Sequence, residues 1–375
     1  MTRKHPGGLD AAAFMRKHWQ QAPLLVRGAF PRFDDPLSAS EVLALAAAPE
    51  AISRLVRRRG ATWSLEHGPF PASRFKQLPR RDWTVLVQDT NHFSRRADAL
   101  LARFDFIPHA RIDDVMVSYA MPGGSVGPHV DSYDVFLLQG RGRRRWQIST
   151  QKDHAFVPGL ELKILERFVP EQEWILESGD MLYLPPGVAH HGVAESECLT
   201  WSIGLRAPTD AELVTAFLDF LRDRLEPAGR YGDPGEPPVA NAGEIPARLL
   251  EHGGGALRSI RWTPDDVREF VGRFLSEPRA NVFFEPPRRA LARERFVRRA
   301  ARDGLVLDPR SRLLFSGTIF FLNGEAAAVP APARPALRRL ADERRLEAGF
   351  EAPAELWDVV YGWYRQGFVD TGEAA

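Results

Sequence analysis

The feature that most constrains this chain is a series of short apolar stretches between residues 113 and 206, separated by glycine and proline turns. Five stretches have the composition of β-strands: DVMVSYAM, HVDSYDVFLLQ, RRWQIST, MLYLP and LTWSIGLR. The turns between them are PGG at 122–124, GRG at 140–142, SGD at 178–180 and PPG at 185–187. Many short strands with this punctuation predict a β-sandwich or a β-barrel.

The composition of the whole chain is that of a globular protein of about two domains. Its 375 residues are 44% hydrophobic, and 50 Lys and Arg balance 49 Asp and Glu, for a net charge of +1. Such a balance gives no overall field that would attract DNA or an anionic membrane. The single cysteine, Cys198, excludes an intramolecular disulfide and a cysteine-rich zinc site. Neither an apolar signal segment nor a transmembrane stretch is present, so we expect a cytoplasmic protein.

Helical patterns flank the β region on both sides. Residues 38–48 predict a helix with Ser40 as its N-cap. After the β region, Thr209 and Glu212 form a capping box before an apolar periodic run, and residues 263–274 predict a helix that opens on a Thr-Pro pair. The last 95 residues combine a helical segment, a hairpin with an Asn-Gly turn and two further helical patterns. This combination predicts a winged-helix-like module.

The sequence His129-Val130-Asp131 contains two candidate metal ligands. On a β-strand, residues i and i+2 point to the same face, so the imidazole and the carboxylate would project together. A third donor follows one strand later, where GDMLYLPPGVAHH ends in His190 and His191. Two histidines and one carboxylate form the facial triad of non-haem Fe(II) oxygenases, which leaves coordination positions open. The alternative is a structural role for HxD, but its place directly after the turn PGGSVGP favours a metal.

The segment GRGRRRWQI contains a candidate anion-binding residue. Alternation along a strand puts Arg144 on the same face as Trp146 and Ile148, which are apolar and expected to point inward. A buried guanidinium needs an anion, and its planar fork fits a carboxylate bidentately. Arg143 and Arg145 have the opposite parity and are expected to be solvated. The alternative is that the whole arginine run is a solvated turn.

The combination PGGSVGPHVDSYDVFLLQGRGRRRW and ESGDMLYLPPGVAHHG resembles the JmjC-type 2-oxoglutarate oxygenases of the cupin superfamily. Within them it is most similar to the bacterial ribosomal oxygenases, which hydroxylate an arginine of large-subunit ribosomal protein sixteen. The similarity runs from WQQAPLLVRGAF through APTDAELV to the C-terminal region. It implies an α+β fold whose double-stranded β-helix, a cupin jelly roll, occupies residues 1–207, with its core barrel at about 110–206. A helical dimerisation region (208–280) and a winged-helix-like domain (281–375) would follow.

The resemblance also implies a set of cofactors and ligands. His129, Asp131 and His190 would bind Fe(II), since the family's PPGxxH spacing favours His190. His191 would lie either behind the ligands or at the rim of the site. Arg144 would bind the distal carboxylate of 2-oxoglutarate, which reacts with O₂ and is released as succinate and CO₂.

Four more residues are predicted to line the pocket. Thr200 lies near the place where relatives have a polar residue that helps to hold the cosubstrate. Ser118 shares strand parity with Met116 and Asp114. A substrate guanidinium could be held by Asp114 and covered by Tyr133. The alternatives are core hydroxyl groups bonded to the backbone for Thr200 and Ser118, and a solvated strand start for Asp114.

Three functions remain open from the sequence. The resemblance implies hydroxylation at C-3 of an arginine in large-subunit ribosomal protein sixteen, carried out by a homodimer. The same chemistry could act on another protein side chain, including demethylation. A winged-helix regulator with a metabolite-sensing cupin is the third, and the intact HxD…H with Arg144 argues against it. Residues 281–375 contain 15 Arg and 13 acidic residues without a basic stripe, so direct DNA binding is not expected.

Overall fold

The computed structural model of the chain describes residues 6–372. Its helices are α1 (Ala11–Lys17), α2 (Ala39–Ala46), α3 (Ala72–Lys76), α4 (Thr90–Phe93), α5 (Arg95–Asp98), α6 (Asp210–Arg222), α7 (Ala247–Arg258), α8 (Pro264–Ser276), α9 (Arg293–Asp303), α10 (Arg334–Glu343) and α11 (Ala354–Arg365). Its strands are β1 (Leu24–Val26), β2 (Ser53–Arg59), β3 (Thr62–His67), β4 (Trp83–Val87), β5 (Ile112–Ala120), β6 (His129–Val130), β7 (Asp134–Gln139), β8 (Arg144–Ser149), β9 (Gln172–Leu176), β10 (Met181–Leu184), β11 (Ala189–Ala194), β12 (Cys198–Leu205), β13 (Leu305–Leu307), β14 (Leu313–Ser316), β15 (Ile319–Leu322), β16 (Glu325–Ala327), β17 (Arg345–Leu346) and β18 (Val369–Thr371).

The chain forms two compact units. The first unit comprises Met1–Ala207, Pro278–Arg312 and Val329–Ala375, and the second comprises Pro208–Glu277 and Leu313–Ala328. The domain boundaries drawn from the sequence stay a prediction. Within residues 6–372, none of the helices is both long and apolar enough to cross a membrane.

The first unit contains an antiparallel jelly roll, which confirms the predicted fold class. Its eight-stranded sheet has the order β1-β10-β7-β12-β5-β4-β2-β3, and its four-stranded sheet has the order β6-β11-β8-β9. Strand β5 shows how the sequence builds this layer. Val115, Val117 and Tyr119 pack into the large apolar core, whereas the alternate residues Asp114 and Ser118 face the other side of the sheet.

The segment predicted as one strand, HVDSYDVFLLQ, is two strands in the structure. Strand β6 pairs with β11 in the four-stranded sheet, while β7 pairs with β10 and β12 in the eight-stranded sheet. The chain therefore crosses between the sheets at residues 131–133. The carbonyl of Asp131 accepts a bond from the amide of Gly187, at 2.9 Å, instead of continuing the ladder. Asp131 thus lies one residue beyond β6, at the open edge of the barrel.

The predicted cap of helix α2 is wrong by two residues. Ser38, not Ser40, accepts the amide of Glu41, and the Glu41 carboxylate accepts the amide of Ser38 at 2.7 Å. The Ser40 hydroxyl lies 3.0 Å from that of Ser38. A reciprocal box needs an acid at the third helical position, and only the earlier serine has one there.

The capping box of α6 and the Thr-Pro start of α8 are as predicted, and α8 has in addition a capping box that was not predicted. Thr209 caps α6 and Thr263 caps α8, each paired with an acidic residue three positions later. Between these helices, Phe217 and Phe270 pack edge to face at 5.1 Å. The predicted hairpin is a three-stranded sheet, β14-β15-β16, with Asn323-Gly324 forming the second turn in a positive-φ conformation.

Candidate active site

His129, Asp131 and His190 converge at one end of the barrel. The donor atoms of the three side chains all lie within 4.8 Å of one another. The Nε2 atom of His190 is 3.5 Å from Oδ2 of Asp131, and the two imidazole rings are 4.2 Å apart. This closeness follows from the register, because His129 on β6 lies directly opposite His190 on β11. Two imidazoles and one carboxylate in this arrangement can hold one metal ion on a single face.

Both histidines are held in the tautomer that metal binding requires. Nδ1 of His129 lies 3.0 Å from the carbonyl of Gly127, and Nδ1 of His190 lies 3.0 Å from the carbonyl of Val188. A carbonyl oxygen only accepts, so each Nδ1 carries a proton, and in the neutral ring Nε2 is the atom that keeps a lone pair. The pKa of His190 is lowered to about 4, mainly by burial and to a smaller extent by the neighbouring His129. His190 is therefore neutral at physiological pH, as a ligand must be.

Arg144 is buried beside this cluster, and no residue among 6–372 gives it an anionic partner. The residue is 5% exposed, on the same face of β8 as Trp146 and Ile148, and Ile148 lies opposite His190. Its Nε and Nη2 atoms have no hydrogen-bond partner among residues 6–372, and its guanidinium lies 5.7 Å from the Trp146 ring centre. An unpaired buried guanidinium is costly, so the pocket fits a ligand that brings a carboxylate.

The neighbouring arginine shows the opposite environment. Arg145 points away from the barrel and pairs with Glu195 at 2.7 Å and Glu173 at 3.1 Å. The strand alternation therefore separates an inward from an outward guanidinium, as the sequence predicts.

Thr200 and Ser118 lie opposite each other on the paired strands β12 and β5. Both are buried. The Thr200 hydroxyl contacts Oε1 of Gln139 at 3.2 Å, and the Gln139 amide donates to the carbonyl of Leu199 at 3.0 Å. Gln139 therefore orients Thr200. No motif predicted this role of Gln139, whose one signal in the sequence is that it is a polar residue at the end of the apolar strand VFLLQ. The cosubstrate roles of Thr200 and Ser118 stay predictions.

Asp114 and Tyr133 come together around Gly204. Asp114 is 7% exposed. Its pKa is raised to about 7, mainly by burial and to a smaller extent by the carboxylates of Asp113 and Asp89. A Cβ placed on Gly204 would lie 2.9 Å from Oδ1 of Asp114 and 3.9 Å from the Tyr133 ring. The glycine thus leaves open the space between a buried carboxyl group and an exposed aromatic ring. The alternative of a solvated Asp114 is wrong.

Arg279 supports this pocket from a distant part of the chain. It donates to both carboxylate oxygens of Asp89 at 2.9 and 3.0 Å, and to Asp113 at 2.6 Å. Burial alone would lower the pKa of Arg279, but Asp113 and Asp89 outweigh it and raise the pKa. These partners are 166 and 190 residues away. No local pattern in the sequence could have revealed them.

His191 points to the face opposite to His190. It lies opposite Gln147 in the ladder, and its ring meets Phe168 edge-on at 6.1 Å. Its Nε2 atom is buried without a hydrogen bond among residues 6–372, and burial lowers its pKa to about 4. His191 is not in the triad, and its assignment to the rim stays a prediction.

A jelly roll with a His-Asp-His cluster and a buried unpaired arginine defines an oxygenase of the JmjC class. The family model for the JmjC domain matches residues 99–213. A second model, the ROXA-like winged helix, matches residues 259–370.

Individual relatives narrow this class. The ribosomal protein uL16 3-hydroxylase of Escherichia coli K12 is 35% identical over 341 residues, which are 89% of each chain. The X-ray structure of E. coli ycfD superposes with a TM-score of 0.84 at 32% identity, covering 96% of this chain and 97% of that one. The structure of that ribosomal oxygenase with cobalt and 2-oxoglutarate has a TM-score of 0.81 at 33% identity, with 96% and 98% covered. The chain therefore belongs to the family of JmjC ribosomal oxygenases.

Proposed function

We propose that this protein is an Fe(II)- and 2-oxoglutarate-dependent hydroxylase that modifies C-3 of an arginine in large-subunit ribosomal protein uL16. The observation that carries the proposal is the buried, unpaired guanidinium of Arg144 beside the His-Asp-His cluster. The name of the E. coli relative supports both the substrate and the position of the hydroxyl group. A ribosomal substrate also supports a cytoplasmic location.

The residues of the cluster would hold the iron, and Arg144 would hold the distal carboxylate of 2-oxoglutarate. His129 and His190 each offer an Nε2 donor, and Asp131 offers a carboxylate oxygen. Arg144 would reach the cosubstrate from β8, and Thr200, oriented by Gln139, lines the same barrel. When bound, iron, 2-oxoglutarate and O₂ supply the oxidation of an unactivated C–H bond, with release of succinate and CO₂.

The substrate arginine would enter between Asp114 and Tyr133. A guanidinium forms charge-assisted bonds with a carboxylate, and its positive charge lowers the pKa of Asp114 and keeps it ionised. Tyr133 would cover the planar group by cation–π contact. Arg279 fixes the wall of the pocket by holding Asp89 and Asp113, whose charges also make the pocket attractive to a cation.

Mass spectrometry tests the proposal directly. Ribosomal proteins from a strain that lacks the gene are incubated with the protein, Fe(II), ascorbate and 2-oxoglutarate. We expect one added oxygen on uL16, localised by fragmentation to an arginine. No oxygen is expected with Asp131→Ala or without 2-oxoglutarate. Succinate release without modification of any ribosomal protein would leave an oxygenase but rule out this substrate.

We propose further that the second unit forms a homodimer. Helix α6 exposes Val214 and Leu218, and α7 exposes Leu250 and Leu257, with Leu218 60% and Leu257 71% accessible. A second copy would cover these apolar side chains. Light scattering of the full chain should give a dimeric mass at micromolar concentration, and Leu218→Asp should shift it toward the monomer. A monomeric wild-type mass would contradict the proposal.

A further inference from the structure

A basic groove of about 710 Å³ lies beside the turn between β2 and β3. Four arginines line it, Arg57, Arg58, Arg59 and Arg81, together with Gly60 and Asp82. We call it the arginine groove. It lies wholly within the first unit and contains none of the proposed metal, cosubstrate or substrate residues. The whole chain has a net charge of +1, so this concentration of guanidinium groups is a local feature.

The positive charge of the arginine groove is only partly neutralised by acidic residues of the protein. The side chain of Arg59 is exposed and has no hydrogen bond or ion pair among residues 6–372. The acid in the lining, Asp82, pairs with Arg81 at 2.9 Å. Arg57 lies 3.9 Å from Glu66, which another arginine holds at 2.6 Å. The pKa of Arg57 is lowered first by burial and then by neighbouring arginines, as expected where positive charges crowd together.

The walls of the arginine groove are joined by backbone bonds. The amide of Arg58 donates to the carbonyl of Asp82 at 3.0 Å, and the amide of Asp82 donates to the carbonyl of Pro122 at 2.8 Å. Gly60 takes a positive φ of 60° in the tight turn between β2 and β3. The groove is therefore preformed, and a ligand need not spend binding free energy on ordering the backbone.

Strand β2 connects the arginine groove with the proposed substrate pocket. Arg54, at the start of the strand, lies opposite Leu86 of β4, and Leu86 lies opposite Ser118 of β5, the strand that carries Asp114. At about 3.3 Å per residue, the five steps from Arg54 to Arg59 span roughly 17 Å. A partner in the groove would thus lie near a protein segment whose arginine occupies the pocket.

We propose that the arginine groove binds the phosphodiester backbone of RNA. Guanidinium forks match phosphate oxygens bidentately, and several in one groove track a backbone without reading its sequence. The target arginine of the substrate would be repelled by these arginines, so the groove fits a polyanion rather than the substrate segment itself. The choice of RNA rests on the proposed function, because a ribosomal protein is itself an RNA-binding partner.

The test uses fluorescence anisotropy of the full chain with a labelled single-stranded RNA of mixed sequence, about 20 nucleotides long, between about 50 and 150 mM salt. We expect wild-type binding that weakens with salt. The variant with Arg59→Glu and Arg81→Glu should bind at least about 10-fold more weakly, and two lost phosphate contacts should make the log–log slope shallower by about 1.4. The control with Arg16→Glu and Arg288→Glu, two exposed arginines outside the groove, should match the wild type.

Several results would overturn the inference. The first two are no RNA binding by the wild type at low salt, and equal RNA affinity of the groove variant and its control. The third is a higher affinity of the wild type for DNA of the same sequence than for RNA. The fourth is that polyglutamate displaces the labelled RNA at a lower concentration than unlabelled RNA does. Circular dichroism establishes that each variant is folded. Hydroxylation of isolated uL16 is measured in parallel. An active enzyme that does not bind RNA refutes only the groove, whereas RNA binding without hydroxylation refutes only the proposed reaction.

Discussion

Replacing Arg144 with methionine should increase stability and weaken cosubstrate binding. In the ligand-free protein, its buried Nε and Nη2 donors have no hydrogen-bond partner among residues 6–372. Such a group costs about 1–3 kcal/mol, whereas methionine fills similar space without a charge. Loss of the contact between the guanidinium and the Trp146 ring cancels about 0.5–1 kcal/mol of this gain in stability. We therefore expect the free energy of unfolding to rise by about 1 kcal/mol.

The bound carboxylate reverses the sign of this effect. Two charge-assisted hydrogen bonds of about 1.5 kcal/mol each sum to about 3 kcal/mol, or roughly 100-fold in the Kd for 2-oxoglutarate. Urea unfolding without ligand measures the change in the free energy of unfolding. Calorimetric titration with 2-oxoglutarate, with Mn(II) in place of iron, measures the change in the Kd.

The matched control for this experiment is Arg145→Met on the same strand. Arg145 pairs with surface glutamates, so its replacement should leave both the free energy of unfolding and the Kd for 2-oxoglutarate nearly unchanged. The reasoning is refuted if Arg144→Met destabilises the ligand-free protein, or if its Kd for 2-oxoglutarate stays within about threefold of wild type.

Three further predictions follow from the described contacts. Gly192→Ala would put a methyl group 2.7 Å from the Trp146 ring and should lower the free energy of unfolding by about 1–3 kcal/mol; an unchanged urea midpoint would contradict this. The pKa of His92 is lowered to about 3, mainly by burial and to a smaller extent by Arg312. As the pH falls, His92 is therefore protonated in the unfolded state before it is protonated in the folded state, which favours unfolding. Wild type should therefore lose about 2 kcal/mol more stability than His92→Asn between about pH 7 and pH 5, and equal losses would argue against it. Asp114→Asn should raise the KM for uL16 roughly 10-fold or more and leave the Kd for 2-oxoglutarate unchanged; an altered Kd would place Asp114 at the cosubstrate instead.

Strand alternation explains how much of the candidate site could be predicted. The inward direction of Arg144 and the outward direction of Arg145 follow from parity alone, because the period of a β-strand is two residues. The triad needed only two short motifs that the fold pairs, with His129 opposite His190. Local sequence is sufficient where each residue's direction depends on its own strand.

Other features depend on contacts that leave no local pattern. Arg279 reaches Asp89 and Asp113 from a segment far along the chain, so neither partner predicts the other. The strands β2 and β3 also escaped prediction. In SRLVRRR, four arginines interrupt the apolar alternation. The segment is recognisable as a strand only from its pairing with β4 in the sheet.

The bonds that orient the two histidines have a consequence for how the centre could be transplanted. Each imidazole is fixed by the carbonyl two positions upstream, from Gly127 for His129 and from Val188 for His190. Metal-binding histidines elsewhere commonly rely on a carboxylate from another part of the protein. Here each ligand carries its own orienting group within three consecutive residues. The centre is therefore modular: two short peptide cassettes held in antiparallel register contain both histidines and their supports, and a host scaffold has only to supply that register.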